Sequence, residues 1–99
     1  MADNLGLENI SAISAVLEKT ASIQKAVVFG SRAKGNYTAY SDVDIALYGS
    51  VDFLEVESVS CELDELPFIY KFDVVAYSLV KNAELREHIN RVGVVIYER

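Results

Sequence analysis

Residues 27–48 read VVFGSRAKGNYTAYSDVDIALY, and this stretch decides the fold. A short apolar run, Val27-Val28-Phe29, ends in Gly30-Ser31. Ten residues further on, Asp42-Val43-Asp44 opens a second apolar run that closes at Tyr48. In an extended strand, side chains at i and i+2 share a face. Asp42 and Asp44 are therefore expected to project together, while Val43, Ile45 and Leu47 enter a core. The backbone holds such a pair about 6–7 Å apart. If the carboxylates converge to about 5 Å, their repulsion is about 3 kcal/mol at an effective dielectric near 20. A hard divalent cation removes that cost. Mg²⁺ suits the position, since it takes one or two carboxylates, several waters and the phosphates of a substrate.

The Gly-Ser pair has its own chemistry. Glycine between a strand and a helix start adopts backbone angles that other residues resist, and it lets a phosphate approach the main chain. Ser31 is expected to cap a short following helix, whose free first-turn N–H groups suit an anion. Arg32 and Lys34 add positive charge beside the turn; their ordinary alternative is solvated surface. A third carboxylate, Asp73, lies in the apolar run Phe72-Asp73-Val74-Val75. In a strand over 71–77 it shares a face with Val75 and Tyr77, opposite Phe72, Val74 and Ala76. Burying such a carboxylate is costly unless it is paired or metal-bound, and a salt bridge from elsewhere is the competing explanation.

The spacing Gly-Ser-x10-Asp-x-Asp with a later strand Asp resembles the signature of the DNA polymerase β-like nucleotidyltransferase superfamily. It is most similar to the minimal single-domain (MNT) members found in HEPN/MNT toxin–antitoxin pairs. The resemblance runs from about Ala26 to the C-terminus. It implies transfer of a nucleoside monophosphate, AMP from ATP, to a hydroxyl with release of pyrophosphate. It also implies two Mg²⁺ ions with the bound nucleotide, held by Asp42, Asp44 and Asp73, with Asp73 accepting the proton. Gly30, Ser31 and Arg32 are the implied nucleotide-binding residues, and a small helical HEPN-like protein is the implied partner and acceptor. Two alternatives stay open. One is transfer to a small molecule with a separate substrate-binding subunit, and the other is a non-catalytic antitoxin acting by binding.

Composition narrows the partners. Ninety-nine residues, 52% hydrophobic, with one Pro and five Gly, fit one compact domain over 1–99. The net charge of −6 argues against a nucleic-acid interface, which needs a basic face. No apolar run approaches the about 18 residues of a membrane span, and the first residues lack the pattern of a signal peptide. A single cysteine, Cys61, fits a reducing cytoplasm and is expected to pack as a small apolar residue. A homodimer or hetero-oligomer remains compatible with so small a domain.

In chain order, Leu7, Ile10, Ile13 and Leu17 predict a first helix with Asn4 as its cap, and a strand follows over about 25–29. A short helix after Gly30 is expected to stop at Gly35-Asn36. Tyr37 and Tyr40 are expected to fold onto the core, or to stack on a base. Asp52 and Glu55 have the spacing of a capping box for a helix turning Phe53, Val56, Val59 and Leu63 inward. Asn82 caps a last helix with Leu85, Ile89 and Val92 inward, and 94–97 form a closing strand. His88 reads as surface. The sum is an α/β (α+β) sandwich: a small mixed β-sheet with helices packed on it, the polymerase β-like nucleotidyltransferase fold.

Overall fold

The computed structural model describes residues 5–99. Helix α1 (Ile10–Glu18) leads into strand β1 (Ile23–Phe29), then the short helix α2 (Ser31–Lys34) and strand β2 (Val43–Gly49). Helix α3 (Phe53–Asp64), strand β3 (Phe72–Ala76), a single 3-10 turn (Tyr77–Leu79), helix α4 (Ala83–Val92) and strand β4 (Val94–Glu98) complete the chain. The sheet order is β3-β2-β1-β4. β1 runs antiparallel to both β2 and β4, whereas β2 and β3 are parallel. This is the expected mixed sheet, with the Asp-bearing strands side by side.

Alternation along the strands sorts the core into two layers. Ala26, Val28, Val43, Ile45, Leu47, Phe72 and Ala76 pack with residues of α1 and α3 such as Ile13, Leu17, Val59 and Leu63. The opposite face carries a thinner layer in which Val27, Phe29 and Ala46 meet Ile89 of α4. Period-two alternation places Asp44 and Asp73 on this second face, which α4 and the turn at Tyr77 cover. Polar groups there can reach water; on the first face they would be buried under two helices.

Local signals set the helix ends. Asn9 caps α1 by accepting the Ala12 N–H at 3.1 Å; the expected cap Asn4 lies outside the described residues, and Leu7 precedes the helix. The capping box at α3 is complete, with Asp52 accepting from the Glu55 amide at 2.8 Å and Glu55 accepting in return from the Asp52 amide. Asn82 caps α4 through the Leu85 amide. Two inward assignments on α3 are corrected. Phe53, the first residue of the helix, is 65% exposed, and Cys61 is exposed, two residues off the stripe of Val56, Val59 and Leu63.

Candidate active site

The site forms where the C-terminal end of β1 meets the N-terminal ends of β2 and β3. In the ladder Asp44 pairs with Phe29 on one side and with Asp73 on the other. Adjacent strands lie about 4.8 Å apart, so two carboxylates on the same face are neighbours by construction. The Asp44 carboxyl is pushed up to about 6, first by partial burial and then by the negative charges of Asp73 and Asp42. Burial is the larger cause, and the remainder shows that Asp73 and Asp42 lie near enough to be felt by Asp44. Asp42 and Asp73 are exposed and Asp44 is half-buried. Asp73 thus faces water and needs no salt-bridge partner, contrary to the cost expected of a strand carboxylate.

The three carboxylates are gathered by backbone placement and by charge. Among the described residues, no three acidic, His or Cys side chains close into a finished metal cage. The donor set still fits a hard divalent cation, being all carboxylate and partly solvated, with one member already destabilised in its charged form.

Gly30 closes the site from the β1 side. Its backbone sits at φ 76°, ψ −152°, a region essentially reserved for glycine. A Cβ there would run into Asp44 Oδ2. The two halves of the motif, Gly-Ser and Asp-x-Asp, are therefore in contact. Gly30, not Ser31, stands at the cap of α2, and no side-chain cap bond is made; Ser31 is the first helical residue. The helix stops at Gly35 in the left-handed conformation, as its sequence suggests.

Arg32 corrects the sequence reading most sharply. It is 1% exposed, and its guanidinium faces the protein's own carbonyls. Nη1 donates to Leu5 and Gly6 at 2.9 and 3.1 Å, Nε to Ser41 at 3.2 Å, and Nη2 to Ser41, Ala39 and Thr38 at 3.0, 3.2 and 3.5 Å. Five N–H donors are all an arginine has, so nothing remains for a phosphate. Tyr70 and Tyr37 lie against the guanidinium at 4.6 and 5.0 Å. Arg32 ties residues 38–41, the segment leading into Asp42, to α2. It shapes the site without facing it. Lys34 is exposed, Tyr37 is half-buried beside Arg32, and Tyr40 stands 75% exposed rather than folded onto the core.

His88 is the residue the sequence reading missed. Its Nε2 accepts the Gly30 N–H at 3.2 Å, and its ring meets Phe29 edge-on at 6.0 Å. The spacing Leu85, His88, Ile89, Val92 places all four on one helical face, which is the signal that would have found it. A separate concavity of about 430 Å³ is lined by Tyr77, Arg86, Asn90 and Arg91. Asp42 and Asp73 stand exposed beside the half-buried Asp44.

Comparison with known proteins identifies this arrangement. The family described as "Polymerase beta, Nucleotidyltransferase" matches residues 11–99. The chain belongs to that family. Nucleotidyltransferases named as protein adenylyltransferases are among its relatives. A candidate protein adenylyltransferase of Methanocaldococcus jannaschii is 40% identical over 63 residues, covering 64% of this chain and 58% of that protein. MntA, a candidate protein adenylyltransferase of Haemophilus influenzae, is 28% identical over 94 residues, covering 93% of this chain and 82% of MntA. The chain thus spans little more than half the length of the first relative. Among solved structures, a toxin–antitoxin complex with AMP-PNP contains a chain superposing with a TM-score of 0.78 at 20% identity, over 93% of this chain and 75% of that one. A complex of a tri-AMPylated HEPN toxin of Shewanella oneidensis with its MNT antitoxin contains a chain that gives 0.70 at 17% identity, over 100% of this chain and 74% of that one. At these identities the structures establish the polymerase β-like fold.

Proposed function

We propose that this nucleotidyltransferase moves AMP from ATP to a hydroxyl on a small helical partner protein of the HEPN type, as the antitoxin of a two-component system. The observation that carries the reading is the meeting of Gly30, Asp44 and Asp73 at one end of the sheet. Relatives named as protein adenylyltransferases supply the nucleotide and the class of acceptor, and the AMPylated HEPN complex of the same fold supplies the kind of partner.

In this reading Asp42, Asp44 and Asp73 hold Mg²⁺, two ions with the nucleotide. When bound, the metal neutralises these carboxylates and the triphosphate and acidifies the attacking hydroxyl. Ser31 would hold the β- and γ-phosphates through its main-chain N–H and its hydroxyl, and Gly30, whose own N–H is taken by His88, would contribute the close main-chain approach that a missing side chain allows. Arg32 sets the course of residues 38–41 and so the approach of Asp42. Asp73, open to water, takes the acceptor's proton as its oxygen bonds to the α-phosphorus and the bond to the β-phosphate oxygen breaks, releasing pyrophosphate. The exposure of Asp42 and Asp73 suits an acceptor carried on another protein.

The test is to incubate the purified chain with α-labelled ATP, Mg²⁺ and the helical protein that co-purifies with it in the native host. Covalent label on a hydroxyl residue of that protein, mapped by mass spectrometry, is expected. Inhibition of the partner with no label on it would instead establish neutralisation by contact and end the proposal.

A further inference from the structure

We infer that His88 is a positioning residue that fixes the Gly30 turn against Asp44. The turn is the least self-supporting part of the site. Phe29 is the last β1 residue in the β1–β2 ladder, so the Gly30 amide lies beyond that ladder. Gly30 also has the conformational freedom of a residue without Cβ. Its N–H finds its partner on an element far away in sequence, His88 Nε2 at 3.2 Å. The imidazole is itself located twice: its ring edge packs on Phe29, and its neighbour Ile89 is the buried anchor of α4. Accepting an N–H at Nε2 requires the neutral ring with its proton on Nδ1. The contact orients the peptide between Phe29 and Gly30. It thereby sets where the turn stands relative to the Asp44 oxygen that fills its missing Cβ position. α4 thus covers the sheet and also carries the group that holds the phosphate-facing turn in place. The consequence for nucleotide rests on the functional reading above; the contact itself does not.

Two substitutions separate the acceptor from the ring. His88→Gln keeps an acceptor at a similar reach and loses the aromatic edge, whereas His88→Phe keeps the packing on Phe29 and loses the acceptor. Asn90→Ala, which removes an exposed α4 bond to the Tyr77 hydroxyl, serves as the control for general loosening of α4. Amide exchange at Gly30 followed by NMR is expected to accelerate about fivefold or more in His88→Phe, the scale of one neutral hydrogen bond. It should stay near wild type in His88→Gln and Asn90→Ala. Calorimetric affinity for Mg²⁺–ATP is expected to fall by a similar factor in His88→Phe alone. Unchanged Gly30 exchange in a folded His88→Phe protein would overturn the inference. So would tighter nucleotide binding, which would make His88 a competitor for that amide. A wild-type protein that binds no nucleotide would remove the functional reading, and the exchange result would still decide the role of His88.

Discussion

Asp44 stands directly opposite Asp73 across the parallel β2–β3 ladder, and partial burial together with this repulsion makes its charged form unfavourable in the fold. Folded, the Asp44 carboxyl titrates at about 6 against an ordinary 3.8. Folding therefore favours its protonated form. The stability linked to this group is complete below the lower value and is lost as pH rises through the upper one. In metal-free buffer, Asp44→Asn is expected to melt a few degrees above wild type near neutral pH, with the gap closing toward about pH 4. Thermal melts across that range check it. An Asn variant with the wild-type pH slope would show that Asp44 is not the strained member.

Gly30→Ala forces a Cβ onto Asp44 Oδ2 and a side chain into a backbone region that favours glycine. The backbone conformation alone costs about 1–3 kcal/mol, and displacement of the carboxylate adds to it. The two contributions separate in a double-mutant cycle with Asp44→Ala. There the cost of Gly30→Ala is expected to fall without vanishing, since the positive φ remains. Equal costs in both backgrounds, measured by urea unfolding, would show that the two residues do not compete for the same space.

Short-range signals made much of this legible in advance. Asp44 takes the second face because strands alternate, although Asp42 lies just before β2, and Asp52 with Glu55 closes a capping box because both residues sit on the same turn. The second-face position of Asp73 follows from the same period. What stayed hidden depends on long-range geometry. Arg32 was unreadable as a structural residue because its partners are carbonyls of residues 5, 6, 38, 39 and 41, and carbonyls leave no trace in a sequence. His88 required the placement of α4 over the end of β1, and a lone imidazole beside charged neighbours reads as surface.

The buried guanidinium makes a prediction that distinguishes it from a phosphate ligand. Arg32→Lys keeps the charge and loses the planar fork, leaving several carbonyls short of a donor around a desolvated ammonium. A loss of about 3–5 kcal/mol is expected, the scale of breaking a buried charged network, measured by urea unfolding. Residues 38–41 should show faster amide exchange in the same variant. A folded, fully stable Arg32→Lys protein that has lost only nucleotide affinity would place the side chain on the phosphates instead.

The carboxylates themselves give the sharpest test of chemistry against fold. Asp42 and Asp73 are exposed, so Asp42→Asn and Asp73→Asn remove charge without opening a cavity, and neither should lower the melting temperature by more than a degree or two. Asp44→Asn should raise it, for the reason given above. Each substitution is nonetheless expected to cut AMP transfer to the partner by at least about a hundredfold, because metal-assisted stabilisation of the phosphoryl charge is worth several kcal/mol and each 1.36 kcal/mol is tenfold in rate. Stability retained or gained while transfer collapses is the pattern of residues kept for chemistry at a cost to the fold. If transfer by Asp42→Asn or Asp73→Asn stays within about threefold of wild type in a single-turnover assay with labelled ATP, that residue takes no part in the reaction.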